Sequence, residues 1–134
     1  MYCLDSNIII FALKSESNSK LLEKIISKIG QNLASTTSIN VLELLYYTHK
    51  NKATKSLEKR TEILKILNIY DFDFKAAQIA SKLKSDLEQK GLQIDNFDLI
   101  IASISLANNL ILVTNNTKHF KNVPRLKLED WTEL

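Results

Sequence analysis

The sequence predicts an α/β layer fold built on a mostly parallel sheet, and three observations carry that reading. Residues 110–113, Leu-Ile-Leu-Val, form a continuous apolar run of the kind found in strands covered on both faces. Short apolar runs alternate along the chain with longer stretches of helical periodicity, and strands separated by helices imply right-handed crossovers. The helical stretches also carry their own boundaries. Asp73 and Asp95 stand at N-cap positions, and Gly91 follows a long amphipathic run.

The elements follow in order. Residues 2–4 are a first strand and residues 8–13 a short helix. Asn18 caps a helix over 19–29, with Leu21, Leu22, Ile25, Ile26 and Ile29 on one face and Gly30 as its stop. Residues 33–35 are a weak second strand. Thr37 or Ser38 caps a helix from Ile39 to about Lys50, and a further amphipathic helix covers 55–67. Residues 69–72 are a third strand. Asp73 caps a helix over 74–90, and Asp95 caps one over 97–108. The apolar run at 110–113 is the clearest strand, and 126–128 is a short last one.

Composition narrows the function. The chain has 134 residues, 45% hydrophobic and 25% charged, which suits a single globular domain over residues 1–134. Its two glycines, Gly30 and Gly91, cannot supply a P-loop or a G-x-G-x-x-G turn. The single Cys3 excludes an internal disulfide and a cysteine-based zinc site, and His49 and His119 are the only histidines. No apolar run approaches the ~20 residues of a membrane span. The start Met1-Tyr2-Cys3-Leu4-Asp5 lacks the basic region of a signal peptide, so a cytoplasmic protein with no membrane partner is expected. The net charge of +3 leans mildly towards anionic partners.

Most charges read as the wet faces of helices. Lys24, Lys28, Lys55, Lys59, Lys65, Lys82, Lys84, Glu58, Glu62, Asp86 and Glu88 all alternate with apolar positions. Three acids fit that account poorly. Asp5 directly follows the first strand, where open α/β sheets bind ligands, although it could also be a helix cap. Glu43 lies among Ile39, Val41, Leu42, Leu44, Leu45, Tyr46 and Tyr47, in a helix apolar enough to be largely buried. A carboxylate there is costly without a cation or strong donors, unless it occupies one solvated position. Asp98 opens the helix 97–108 in its first turn, where the dipole favours negative charge; Asp95 already fills the cap. The polar cluster Thr114-Asn115-Asn116-Thr117 follows the clearest strand, as turn chemistry or as part of the same rim.

In a parallel sheet, Asp5 and the 114–117 cluster share one rim, and the helices carrying Glu43 and Asp98 can point their first turns at it. Three carboxylates brought together repel, and a hard cation resolves the conflict. Oxygen ligands without His or Cys suit Mg²⁺ or Mn²⁺, and such a cation can activate water and neutralise a phosphate.

With these residues in view, the chain resembles the PIN-domain ribonucleases of the VapC toxin group over almost its whole length. Leu4-Asp5-Ser6-Asn7 is similar to that family's D-T/S-N opening, and Asp98-Leu99-Ile100-Ile101-Ala102 to its D-L-L-I-A helix. Asn40-Val41-Leu42-Glu43-Leu44 matches the segment with the family's Glu, and Thr114-Asn115-Asn116-Thr117-Lys118-His119-Phe120 resembles its T-N-N-T-x-x-F closing signature.

The resemblance implies a Rossmann-like three-layer fold with four or five strands. It implies a Mg²⁺-dependent endoribonuclease (Mn²⁺ substituting) that acts on structured RNA, often tRNA. It also implies a homodimer inhibited by a small cognate antitoxin. Asp5, Glu43 and Asp98 become the catalytic acids and metal ligands, while Asn7, Thr114 and Asn116 support them. Asn116 stands where many relatives have Asp, and His119 where some have an acid, which bears on a second metal because neither adds negative charge. The reaction expected is in-line attack of activated water on phosphorus, leaving a 5′-phosphate and a 3′-hydroxyl, with Glu43 orienting or deprotonating the water or completing the metal's ligand shell.

Lys118, Lys121 and Arg125 lie in an acid-free stretch and are candidate RNA contacts; His49, Lys50, Lys52, Lys55, Lys59 and Arg60 form a second basic stretch. Both read equally as solvated loops. Tyr46 and Tyr47 could stack on bases, but core or dimer packing is favoured. Cys3 reads as a core residue and Trp131 as an anchor for the C-terminus. Two rival readings are a catalytically weak regulator of the same fold that binds RNA or antitoxin, and a haloacid-type phosphatase. The latter requires a second Asp where this chain has Asn7.

Overall fold

Local sequence sets the element boundaries. In the computed structural model, residues 1–14 and 19–133 are described. In chain order the elements are β1 (Tyr2–Leu4), α1 (Ser6–Leu13), α2 (Ser19–Gly30), β2 (Ala34–Thr37), α3 (Ser38–Lys50), α4 (Thr54–Ile66) and β3 (Asn68–Tyr70). They continue as α5 (Phe74–Gln89), α6 (Asn96–Ala107), β4 (Ile111–Val113), α7 (Thr117–Phe120), β5 (Lys127–Glu129) and a 3-10 turn, Trp131–Glu133. Four helices start on side-chain caps: Asp5 accepts from Ser6 N, Thr37 from Asn40 N, Asp73 from Ala76 N and Asp95 from Phe97 N. Of the alternatives for α3, Thr37 is the cap. The expected cap Asn18 lies outside the described residues.

The strands form one sheet in the order β3-β2-β1-β4-β5, with every neighbouring pair parallel. From β1 the chain builds outwards to β2 and β3 on one side, then returns to place β4 and β5 on the other. The order therefore reverses between β1 and β4, and the crevice beyond their carboxyl ends is where such sheets bind ligands. Register aligns Leu4 with Val113, so Asp5 and Thr114 emerge side by side.

Alternation along the strands fills two cores, one on each face. Leu4 and Val113 point into a cluster with Ile8, Ile9, Ile25, Leu44, Ile63 and Trp131. Cys3 and Leu112 point into the opposite cluster with Leu83, Leu99, Ile101 and Phe120. This is the three-layer α/β arrangement, with five parallel strands. α6 runs through the second core, and its buried Ser103 and Ser105 donate to the carbonyls of Leu99 and Ile101 four residues back. Burial pushes the Cys3 thiol up to about 12, which suits a core residue and not a nucleophile.

Several expectations change. β2 begins and ends later than residues 33–35, because Thr36 and Thr37 pair with Ile69 and Tyr70 of β3, and the Ser35 and Thr36 hydroxyls donate to carbonyls of β1. Gly30 closes α2 from within, and the left-handed residue after it is Asn32, at φ 55°; Gly91, at φ 70°, is the glycine that adopts this conformation. Ile26 is 55% exposed, off the inward face of α2. Lys24 and Lys28 are more than solvated charges: their ammonium groups lie 4.5 Å from the Trp131 ring centroid and 5.3 Å from that of Tyr2. Trp131 is buried and holds the C-terminus against Tyr2, edge to face. α3 is not largely buried. Leu42, Tyr46 and Tyr47 are half exposed, so the two tyrosines are not core residues. No helix among the described residues is long and apolar enough to cross a membrane.

Candidate active site

Asp5 is the last residue before α1 turns away from the end of β1, and the backbone there points its carboxylate into the crevice. It is buried, and three donors from three segments hold it. Oδ1 accepts from Ser6 N at 2.9 Å and from Asn40 Nδ2 at 3.0 Å, while Oδ2 accepts from Thr114 Oγ1 at 2.8 Å. Asp5 is thus both the helix cap and a site residue.

α3 starts from the neighbouring strand β2 and brings Glu43 to the same crevice one turn after Asn40. Glu43 Oε1 accepts from Ser6 Oγ at 2.9 Å. α6 brings Asp98 from its first turn, and His119 Nδ1 of α7 lies 3.4 Å from Asp98 Oδ2. The three acids line one cleft of about 600 Å³, together with Ser6, Asn7, Asp95, Asn116, Lys118 and His119. Burial raises the Glu43 carboxyl above its ordinary value, and the charges of Asp5, Asp98 and Asp95 raise it further against the Ser6 hydrogen bond. Burial likewise raises Asp98, and Asp5 and Asp95 add to it against the opposing effect of His119.

Among the described residues, no Lys or Arg forms an ion pair with any of these three acids. Nor do three His, Cys, Asp or Glu side chains converge as a ready-made cage for one ion. The acids ring a space. That geometry fits Mg²⁺ better than a caged metal, because Mg²⁺ keeps several of its waters and takes one or two carboxylates directly. The acidic donors are oxygens throughout, and among the described residues the one basic group paired with them is His119, beside Asp98.

The PIN domain family model matches residues 2–126. The chain is also 39% identical to Ribonuclease VapC2 of Rickettsia felis, with 98% of each chain covered. This chain belongs to the VapC group of the PIN-domain family. It is 30% identical to the tRNA(fMet)-specific endonuclease VapC of Shigella flexneri, again over 98% of each. The structure of VapBC2 from Rickettsia felis bound to a promoter DNA fragment superposes with a TM-score of 0.84 at 39% identity, covering 97% of this chain and 98% of that one. DNA-bound VapBC from Salmonella typhimurium superposes with a TM-score of 0.87 at 28% identity, covering 98% and 99%.

Within this PIN domain the supporting residues divide. Thr114 is fully buried and bonds Asp5 directly. Asn116 lines the cleft, and its backbone N–H donates to Thr114 Oγ1 at 3.0 Å, which turns the hydroxyl proton towards Asp5. Asn7 is exposed in the cleft wall and bonds none of the three acids. Lys118 reaches the cleft. Lys121 does not line it, and Arg125 lines a different depression, beside α5 with Pro124. Neither lines the cleft that holds the acids.

Sequence reasoning missed Ser6 and Asn40 as site residues, and missed α7 as a helix. Asn40 carried a readable signal. It stands at the third helical position after Thr37, where a capping partner belongs, and three residues before Glu43, on the same helical face.

Proposed function

We propose that this VapC-type PIN domain is a Mg²⁺-dependent endoribonuclease, with Mn²⁺ able to substitute, and the toxin of a toxin–antitoxin pair acting in the cytoplasm. The observation that carries the reading is the cleft itself. Asp5, Glu43 and Asp98 arrive from three distant segments on one surface, and among the described residues no Lys or Arg is paired with them. The names of the relatives support ribonuclease action, and the Shigella flexneri relative supports tRNA as the substrate class. The VapBC assemblies support a small antitoxin as partner, and the family resemblance supports a homodimer.

Asp5 and Asp98 would hold the cation, which when bound neutralises phosphate charge and lowers the pKa of water. Glu43 lines the cleft and is tied through Oε1 to Ser6, which leaves its second oxygen to accept a proton from the attacking water. Lys118, exposed on the cleft wall, can hold a phosphate flanking the one that is cut. Asp95 caps α6 and adds negative charge beside Asp98, strengthening the field for a cation.

The test is cleavage of total RNA by the purified chain, with end mapping. Fragments with 5′-phosphate and 3′-hydroxyl ends, formed with Mg²⁺ or Mn²⁺ and lost in excess chelator, are expected. Cleavage undiminished by chelator removes the cation from the proposal. Growth arrest on expression, relieved by a co-expressed antitoxin, tests the toxin reading, and sedimentation velocity tests the homodimer.

A further inference from the structure

Asn40 has no exposed surface, and its amide is oriented by the helix start behind it. Oδ1 accepts from Thr37 Oγ1 at 2.7 Å and lies 3.4 Å from Thr37 N, while Asn40 N donates back to Thr37 Oγ1 at 3.2 Å. This is a capping box, and it needs only the carbonyl half of the amide. With Oδ1 committed, Nδ2 faces the acids. It donates to Asp5 Oδ1 at 3.0 Å and Ser6 Oγ at 2.9 Å, and lies 3.5 Å from Glu43 Oε1. Because the Ser6 hydroxyl accepts from Asn40, its own proton goes to Glu43.

We propose that Asn40 is a positioning residue that fixes Asp5 and, through Ser6, Glu43 as one preset half of the cation site. Asp98 is the separate half; its partner is His119, whose side chain is 61% exposed. The proposal rests on the cation reading above and assigns a role to residues outside it. Its physical basis is that both arms of the Asn40 amide are neutral. A Lys or Arg could hold the same carboxylates, but it would cancel the charge that attracts a cation. A neutral clamp fixes geometry and leaves the charge in place. The two Nδ2 contacts are surplus to capping, so helix formation alone does not account for them.

The experiment uses the full chain without RNA, with Mn²⁺ as the probe and its affinity measured by electron paramagnetic resonance. Asn40→Leu is expected to weaken Mn²⁺ binding by ~10–100-fold, the usual effect of removing a residue that orients metal ligands. Ser6→Ala, which leaves the cap intact, is expected to weaken it less, and Ser6→Thr to keep near-normal affinity. The double variant Asn40→Leu/Ser6→Ala is expected to bind no more weakly than Asn40→Leu alone, because the Ser6 arm hangs from Asn40. Folded Asn40→Leu protein with unchanged affinity, or effects that simply add, overturns the proposal. Where Asn40→Leu does not fold, Ser6→Ala with unchanged affinity overturns it. A wild-type chain that takes up no Mn²⁺ removes the cation reading itself, before any variant is compared.

Discussion

Thr114 Oγ1 donates to Asp5 Oδ2 across 2.8 Å although 109 residues separate the two in the chain. The contact follows from one feature of topology. β1 and β4 are parallel neighbours in register, so the first residue beyond each strand meets the other at the crevice. The hydroxyl accepts from Asn116 N, which leaves its single proton for the carboxylate.

Thr114→Val preserves the volume of this buried side chain and deletes the donor. Asp5 Oδ2 and Asn116 N then lose a partner together, so the variant should lose about 1–3 kcal/mol of stability. Mn²⁺ affinity should fall by roughly tenfold or more. Thermal melting and metal titration check both, and Thr114→Ser should restore most of each.

The three acids should respond differently to neutralisation. Glu43→Gln, Asp98→Asn and Asp5→Asn should each lower turnover by ~10²–10⁴-fold, the scale of a lost acid–base or charge-positioning group. Their metal-free melting temperatures should split. Glu43→Gln and Asp98→Asn relieve repulsion and can keep an oxygen towards Ser6 or His119, so both should melt higher. Asp5 accepts donors on both oxygens, so an amide NH₂ either faces the donors Ser6 N and Asn40 Nδ2 or turns the Thr114 hydroxyl proton away from its buried acceptor. Asp5→Asn should melt lower. Melting curves in chelator distinguish these signs.

The same two raised carboxyls predict a pH dependence. A carboxyl whose value is higher in the folded protein than in the unfolded chain holds its proton more tightly when folded. Its contribution to stability is fully present below the ordinary carboxylate value, ~4, and is lost as pH rises through the raised value. In chelator, the melting advantage of Glu43→Gln and Asp98→Asn over wild type should therefore be absent at low pH and grow as pH rises through the carboxylate range. Saturating Mg²⁺ should shrink or reverse it at neutral pH, because the wild type, with all three acids, regains the most stability from the ion. An advantage constant across pH would mean that packing, and not charge, separates the proteins.

Asn116 lines the cleft but carries no charge. Asn116→Asp should tighten Mg²⁺ binding, since an added carboxylate strengthens the field at a divalent ion. It should also lower the metal-free melting temperature, because one more negative charge joins Asp5, Glu43 and Asp98. The variant should thus melt lower in chelator and gain more on saturation with Mg²⁺. An equal gain in both proteins would place Asn116 away from the ion.

The sequence by itself determined the succession of strands and of every helix but α7, most of the caps, and the candidate acids Asp5, Glu43 and Asp98. These are legible because periodicity, capping chemistry and the cost of burying a carboxylate act over a few residues. α7 escaped notice because four residues cannot display a helical period, and the exposure of Leu42, Tyr46 and Tyr47 because apolar composition does not say how many neighbours a helix finds. The tertiary structure alone decided which groups meet. It brought Thr114 to Asp5, turned the Asn40 amide towards two acids, set His119 beside Asp98, and left Lys121 and Arg125 outside the cleft. Contacts between segments far apart in the chain depend on strand order and register. Those are fixed only when the whole sheet pairs and both of its faces are covered.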